Sequence, residues 1–300
     1  MTPAKRDRLI GYACAAAVAL LWAGFTLSSR YSARTGTGAG MTPYDLGVLR
    51  FTVSGAVAAA FWLGGIGRGL PAGRGMALAL FAGLGFAMPA YIAFSLAPAA
   101  HGAVLLSGSL PFLVGVGSWW VFGERWGRAR VISLGLVLVG MVLVGIESYG
   151  RQAAPPGAWR GDLLFLLASC SWAIYTVLAR RWRVAPMQSV TAVGLGCAVL
   201  FLPVWWIALP SRLADAPVGE VMFQAVYQGL LAMVVSLFLY TRALSSLGIA
   251  RVTTITALVP GIAGVLAVPL LHEPIGLVAL LGLALVCVAV AVGVRAPVRA

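Results

Sequence analysis

Apolar runs of about 20 residues, separated by short segments rich in Gly, Pro and Arg, follow one another along the whole chain. A helix needs roughly 20 mostly apolar residues to cross a bilayer. A transmembrane barrel would instead alternate apolar and polar positions over segments of about 10 residues, and no such alternation is present. The pattern predicts an all-α membrane protein with ten transmembrane helices at 9–29, 46–65, 76–96, 102–122, 131–146, 163–179, 189–209, 221–241, 252–271 and 277–294. The connections, such as 64–75 and the turn of Pro155, Pro156 and Gly157, cannot continue a helix. The first run follows Lys5, Arg6 and Arg8 as a signal peptide would, but nine similar runs come after it, so it reads as a retained helix.

Sliding the chain against itself gives matches at an offset of 149 to 150. Trp22, Ala23, Thr26 and Arg30 fall on Trp172, Ala173, Thr176 and Arg180; Tyr91 falls on Tyr240, Pro111 on Pro260 and Glu124 on Glu273. Agreement among rare residue types at one offset indicates two repeats, 1–150 and 151–300, of five helices each. An odd number of crossings starts the second unit on the opposite face, so the repeats are expected to be inverted about an axis in the membrane plane, around a central cavity.

Composition narrows the class further. With 61% hydrophobic and 10% charged residues and a mean hydropathy of +0.97, a water-soluble fold is excluded. The formal charge of +13 comes from Arg in short loops, without a basic tract for nucleic acid. With the N-terminus inside, 15 basic residues lie in inside segments and 5 outside, while Arg50 lies within a helix. The positive-inside rule then places both termini in the cytoplasm. Richness in Ala, Gly and Arg with a single Lys points to a bacterial gene from a GC-rich genome, and the expected location of such a helical protein is the inner membrane. Cys14, Cys170, Cys197 and Cys287 sit apart inside apolar runs, so neither disulfide nor metal site is implied. The only Lys, Lys5, lies in no phosphate-binding loop, and HExxH and GxSxG motifs are absent, so no cofactor, ATP-driven pump or common hydrolase is expected. Asp45, Glu147, Asp162 and Glu220 fall at or near predicted helix ends, where no intramembrane proton relay is visible.

Several residues are candidates for function. Pro111 and Pro260 lack an amide hydrogen and are expected to mark hinges eased by Gly108 and Gly261; a static kink is the alternative. Arg50 is a candidate anchor for a substrate carboxylate, against a headgroup contact or a pair with Asp45. Trp22, Tyr91, Trp172, Tyr175, Tyr227 and Tyr240 lie within helices and form a candidate aromatic cavity, with Trp22 facing Trp172 and Tyr91 facing Tyr240; ordinary core packing is the alternative. Trp119, Trp120, Trp126, Trp159, Trp182, Trp205 and Trp206 lie nearer helix ends and read as an interfacial belt. His101 and His272 are either a pH-sensitive gate or plain interfacial residues. Glu124 and Glu273 read as caps or anchors. Ser107, Ser109, Thr253, Thr254 and Thr256 either satisfy carbonyls freed by the prolines or touch substrate.

From Pro111 to Glu124 and from Pro260 to Glu273 the chain resembles the EamA repeat of the drug/metabolite transporter superfamily, and its aromatic-rich helices resemble bacterial aromatic amino acid exporters of the YddG type. Pro274 directly after Glu273 departs from the pattern. The resemblance implies a basket-like bundle, a cavity lined mainly by helices 1, 3, 4, 6, 8 and 9, and export without ATP. The expected function is therefore a secondary transporter exporting small amphipathic metabolites, foremost aromatic or other apolar amino acids, by alternating access with hinges in helices 4 and 9. Trp22, Arg50, Tyr91, His101, Trp172, Tyr175, Tyr227 and Tyr240 are its candidate substrate-binding residues. Hydrophobic cations and nucleotide or sugar derivatives are the alternative cargoes; a lipid-modifying enzyme or passive channel is the alternative class. The expected partners are a small-molecule substrate and the bilayer, with a monomer compatible and the oligomeric state left open.

Overall fold

The computed structural model describes residues 3–33, 40–97, 99–124, 127–151, 157–271 and 276–295. Among them there is no strand, and the helices are α1 (Pro3–Ala33), α2 (Pro43–Leu63), α3 (Ala72–Leu96), α4 (99–122), α5 (Arg128–Arg151), α6 (Ala158–Arg181), α7 (Pro186–Ala208), α8 (Val218–Leu247), α9 (249–271) and α10 (Leu277–Arg295). Eight of these, α1 to α4 and α6 to α9, contain stretches long and apolar enough to cross a membrane among the described residues. The chain is an all-α, multi-pass membrane protein. Arg125, Trp126, Pro155, Pro156, His272, Glu273 and Pro274, all weighed from the sequence, lie outside the described residues.

The helices run past the apolar segments that announce them, because hydropathy marks only the part suited to hydrocarbon while helical bonding continues to a cap. At α2 the cap is explicit. The Asp45 amide donates to the Thr42 hydroxyl at 3.1 Å and the Thr42 amide to the Asp45 carboxylate at 2.8 Å, with Pro43 at the first helical position. This reciprocal box starts α2 three residues before its apolar run.

Four helices are irregular in their middles. Wider π turns occupy Ala79–Leu84 in α3, Ala103–Gly108 in α4 and Ala225–Val235 in α8, and α9 is interrupted at Ala257 and Leu258. Such turns leave backbone groups to be satisfied locally. The Ser109 hydroxyl donates to the Leu105 carbonyl at 2.5 Å, Thr254 to Ala250 at 2.7 Å and Thr256 to Thr253 at 3.2 Å. Pro111 and Pro260 do not kink a continuous helix. Each is the second residue of a fresh helical segment, Leu110–Phe122 and Val259–Leu271, where a missing amide hydrogen forfeits no bond.

Packing is pairwise. α2 lies along α7 and α5 along α10; α3 lies along α6 and α1 along α8; α4 meets α6 as α9 meets α1; α2 meets α8 as α7 meets α3. Small residues set the closest seams, as expected where lipid removes any hydrophobic drive between helices. A Cβ on Gly194 of α7 would lie 2.8 Å from the Ser54 carbonyl oxygen of α2, and one on Gly140 of α5 would lie 2.6 Å from the Gly282 carbonyl oxygen of α10. Val131, Ile132, Val139 and Ile146 of α5 and Leu277, Leu281 and Val288 of α10 are exposed and suit lipid, while α1, α3, α6 and α8 carry the buried centre. Trp119, Trp120, Trp159 and Trp206 are exposed near helix ends, as a belt requires, whereas Trp182 and Trp205 are half-buried against the core.

Candidate functional site

Trp172, Tyr175 and Thr176 are spaced three and four residues apart, so α6 presents them on one face. That face meets Trp22 of α1 and Tyr240 of α8. The rings of Trp22 and Trp172 meet edge to face at 5.1 Å, Tyr240 lies 5.3 Å from Trp22 and 5.4 Å from Trp172, and Tyr175 lies 5.1 Å from Trp172. Hydroxyl contacts fix the tyrosines: Tyr175 is 2.7 Å from Ser189 and 2.9 Å from Thr241, and Tyr240 is 2.8 Å from Thr176. Edge-on and tilted pairs at these separations add about 0.5–1.5 kcal/mol each beyond burial, which holds the cluster together.

The ring chain continues through Phe86, 4.9 Å from Trp172, and Phe25, 5.8 Å from Phe86 and 5.7 Å from Tyr91. Trp22, Phe25, Thr26, Phe86, Ser107 and Trp172 are among the walls of a cavity of about 10 Å³. That is room for no more than a single water. The space between these rings is therefore closed to anything larger unless the rings part.

Beyond Phe25 the lining turns polar. The Tyr91 hydroxyl donates to Gln228 Oε1 at 2.9 Å, and Gln228 Nε2 donates to Ser28 Oγ at 3.1 Å and Gln224 Oε1 at 3.2 Å. Gln224 Nε2 in turn reaches Ser32 Oγ at 2.7 Å and Glu220 Oε1 at 2.9 Å. Arg50 lies among these groups with 1% of its surface exposed; its Nη2 donates to the Ala232 carbonyl at 3.3 Å, while Nε and Nη1 have no partner among the described residues. It does not pair with Asp45, whose carboxylate takes the Thr42 amide, the Ser211 hydroxyl at 2.6 Å and the Arg212 amide at 3.0 Å. Nor does it snorkel. An ionised side chain at membrane depth costs at least about 2.5–3.5 kcal/mol on insertion scales, which the single carbonyl contact does not offset.

At the far end of α6 a second, open cavity of about 630 Å³ lies between the ends of α4, α6 and α8, with Phe122, Arg180, Arg181, Arg183 and Thr241 in its wall. Arg180 pairs with Glu124 at 2.6 Å and stacks over the Phe122 ring at 4.3 Å. Glu124 thus anchors α6 to the end of α4, in keeping with its reading as an anchor. Thr241 belongs both to this wall and to the Tyr175 hydrogen bond, so the vestibule ends against the ring cluster.

Of the residues singled out from the sequence, Trp22, Trp172, Tyr175 and Tyr240 come together, and Tyr91 and Arg50 join them through Phe25. Tyr91 and Tyr240 do not meet ring to ring among the described contacts: Tyr91 stacks on Phe25 and Tyr240 on Trp22. His101 stands apart at the start of α4, its Nδ1 2.8 Å from Asp162 Oδ1. Tyr227 lies on the seam of α1 and α8, donating to the Leu21 carbonyl at 3.1 Å, and its ring packs on Phe223. Gln224 and Gln228 escaped sequence reasoning, although Glu220, Gln224 and Gln228 recur every four residues beside an apolar run and so share one helix face. Among the described residues no group of three His, Cys, Asp or Glu side chains could hold a metal.

A bundle whose buried face is aromatic and polar, with lipid-suited side chains outside, has counterparts. The chain superposes on a solved crystal structure with a TM-score of 0.71, covering 96% of each chain at 25% identity. The EamA-like transporter family model matches residues 159–295. The aromatic amino acid exporter YddG of Ancylobacter novellus is 31% identical over 224 residues, which cover 67% of this chain and 72% of that protein. The chain belongs to the EamA-like transporter family. Two relatives from Bacillus subtilis are named only as uncharacterised transporters: YetK, 23% identical over 184 residues, and YvbV, 29% identical over 185 residues. The matched stretches span 56% and 57% of those two proteins. As an EamA-like transporter the chain is a membrane transport protein and not an enzyme.

Proposed function

We propose that this EamA-like transporter exports aromatic or other large apolar amino acids by alternating access, through ten membrane-spanning helices built as two inverted units, 1–150 and 151–300. The ring cluster that joins Trp22, Trp172, Tyr175 and Tyr240 carries the reading. Aromatic faces stack on an aromatic side chain, hydroxyls orient its polar end, and the relative from Ancylobacter novellus is named for such cargo. Among the described residues no carboxylate walls the occluded cavity, which disfavours a cationic drug.

The pairwise packing supports the duplication. Exchanging α1–α5 with α6–α10 carries the α3–α6 contact onto α8–α1, the α4–α6 contact onto α9–α1, and the α2–α8 contact onto α7–α3. It leaves α2–α7 and α5–α10 in place. The π turns of α3 and α8 exchange as well, and so do the breaks in α4 and α9 beside Pro111 and Pro260. Inverted units exchange their conformations to expose one site to each side in turn. Gly108 packs on Met141 of α5 and Gly261 on Leu283 of α10, so each half-helix of the hinge pair swings against its own outer neighbour. The excess of basic residues supports an orientation in the inner membrane with the Arg180 vestibule and both termini on the cytoplasmic side. Cargo enters there and leaves past Gln228 and Glu220.

The test is counterflow in proteoliposomes preloaded with Trp, Phe, Thr, Ala or a hydrophobic cation. Labelled Trp accumulates against unlabelled Trp and Phe, and Trp172→Ala reduces this about tenfold or more, the loss of two or three ring contacts. Counterflow of the cation alone moves the cargo to drugs, and none with any solute in monodisperse protein overturns the reading.

A further inference from the structure

A guanidinium has five N–H donors and is never deprotonated in a protein. Arg50 carries one such group about 10 Å into α2, counting 1.5 Å for each residue from Pro43. Among the described residues a single hydrogen bond, to the Ala232 carbonyl, leaves the donors on Nε and Nη1 without a partner, in a side chain that is 1% exposed. The groups around it are neutral. The Phe25 ring centroid lies 5.6 Å from Arg50 Cζ, the neutral Tyr91 hydroxyl lies beside it and donates onward to Gln228, and the nearest carboxylate on its own helix, Asp45, is fully engaged in the α2 cap and the α7–α8 connection. A buried cation with free donors and no anion beside it among the described residues is half of an ion pair.

Phe25 shows where the other half enters. Its ring covers Arg50 on one side and walls the occluded cavity on the other, so a turn of that ring opens the guanidinium to the space beside Trp22, Phe86 and Trp172. A rigid aromatic side chain held by those rings places a head group some atoms away, at Phe25. A carboxylate there replaces the ring contact with charge-assisted hydrogen bonds to the unused donors, an exchange favoured at low dielectric.

We infer that Arg50 is the carboxylate-binding and specificity-determining residue of this transporter, so that its cargo must carry a free carboxylate, which displaces Phe25 from the guanidinium on binding. The inference rests on the proposed aromatic cargo and adds the head-group chemistry to it. Four indoles separate the two in wild-type protein at pH 7, with binding read by quenching of intrinsic fluorescence or by isothermal calorimetry: tryptophan, indole-3-propionate, tryptophanamide and tryptamine. Tryptophan and indole-3-propionate bind at least about tenfold more tightly than the amide and the amine, which lack the anion. In Arg50→Gln the four converge to within about threefold, and Arg50→Lys keeps the preference for carboxylates in weakened form, because it keeps the charge but not the planar fork. Equal binding of all four by the wild type overturns the role of Arg50 and leaves the aromatic cargo standing, as does a preference for carboxylates that survives Arg50→Gln. Absence of binding by every indole overturns the aromatic cargo, and the inference with it.

Discussion

Trp172 touches the rings of Trp22, Phe86, Tyr175 and Tyr240, whereas Tyr227 packs on the Phe223 ring and against Gly24 of α1, with its hydroxyl on a carbonyl of that helix. The two were equal candidates in the sequence, since both are aromatic residues inside apolar runs; what separates them is the direction in which each helix face points. Removing the Tyr227 hydroxyl as Tyr227→Phe deletes one hydrogen bond, about 1 kcal/mol of stability. The unfolding midpoint falls slightly while counterflow stays within about twofold of wild type, and a large transport loss would show that the seam of α1 and α8 belongs to the cargo route. Arg50 was legible as an expensive residue but not as a deep one. The cap at Thr42 and Asp45 starts α2 earlier than hydropathy announces, and those residues carry Arg50 two turns inside. Phe25 was not legible at all, because an inward Phe and a lipid-facing Phe are the same letter in an apolar run.

At the scale of the element, the positions of all the helices were readable, because each needs an apolar run and the loops between them are punctuated by Gly, Pro and Arg. Their interiors were not. A π turn depends on which carbonyls find hydroxyl donors and neighbouring helices, information spread over α3, α4, α8 and their contacts. The prolines illustrate the difference. A Pro in a helix interior costs roughly 3 kcal/mol, and replacing it by Ala would return that stability. Pro111 and Pro260 instead begin new segments, so Pro111→Ala and Pro260→Ala leave the unfolding midpoint within a few degrees while slowing counterflow about fivefold or more, because an added amide can rejoin the two half-helices. Parallel thermal unfolding and transport assays check this. A strong gain in stability with unchanged transport would mean that the breaks are static kinks.

Across the whole molecule, the matched offset of Trp22 with Trp172 anticipated the edge-to-face contact at the centre. It could not anticipate that the two ends differ. One is tied by Gln224, Gln228, Ser32 and Glu220, the other opens into the vestibule beside Arg180. The residues at half-chain offset from the two glutamines are Gly75 and Ala79, so the polar ladder has no copy at the vestibule end. The proposed orientation makes these ends outer and inner. A membrane-impermeant maleimide applied to intact cells therefore labels Ala214→Cys, in the connection of α7 and α8, and labels Ala72→Cys, at the start of α3, only after permeabilisation. The reverse pattern would invert the topology and with it the direction assigned to the vestibule.

The occluded centre has an electrical consequence. Protons hop along unbroken files of water, and a core of interlocked rings with room for no more than one molecule holds no such file. A transporter resting in this arrangement would pass no protons between Trp22, Phe86 and Trp172, so liposomes bearing it are expected to hold a pH gradient as long as empty ones do.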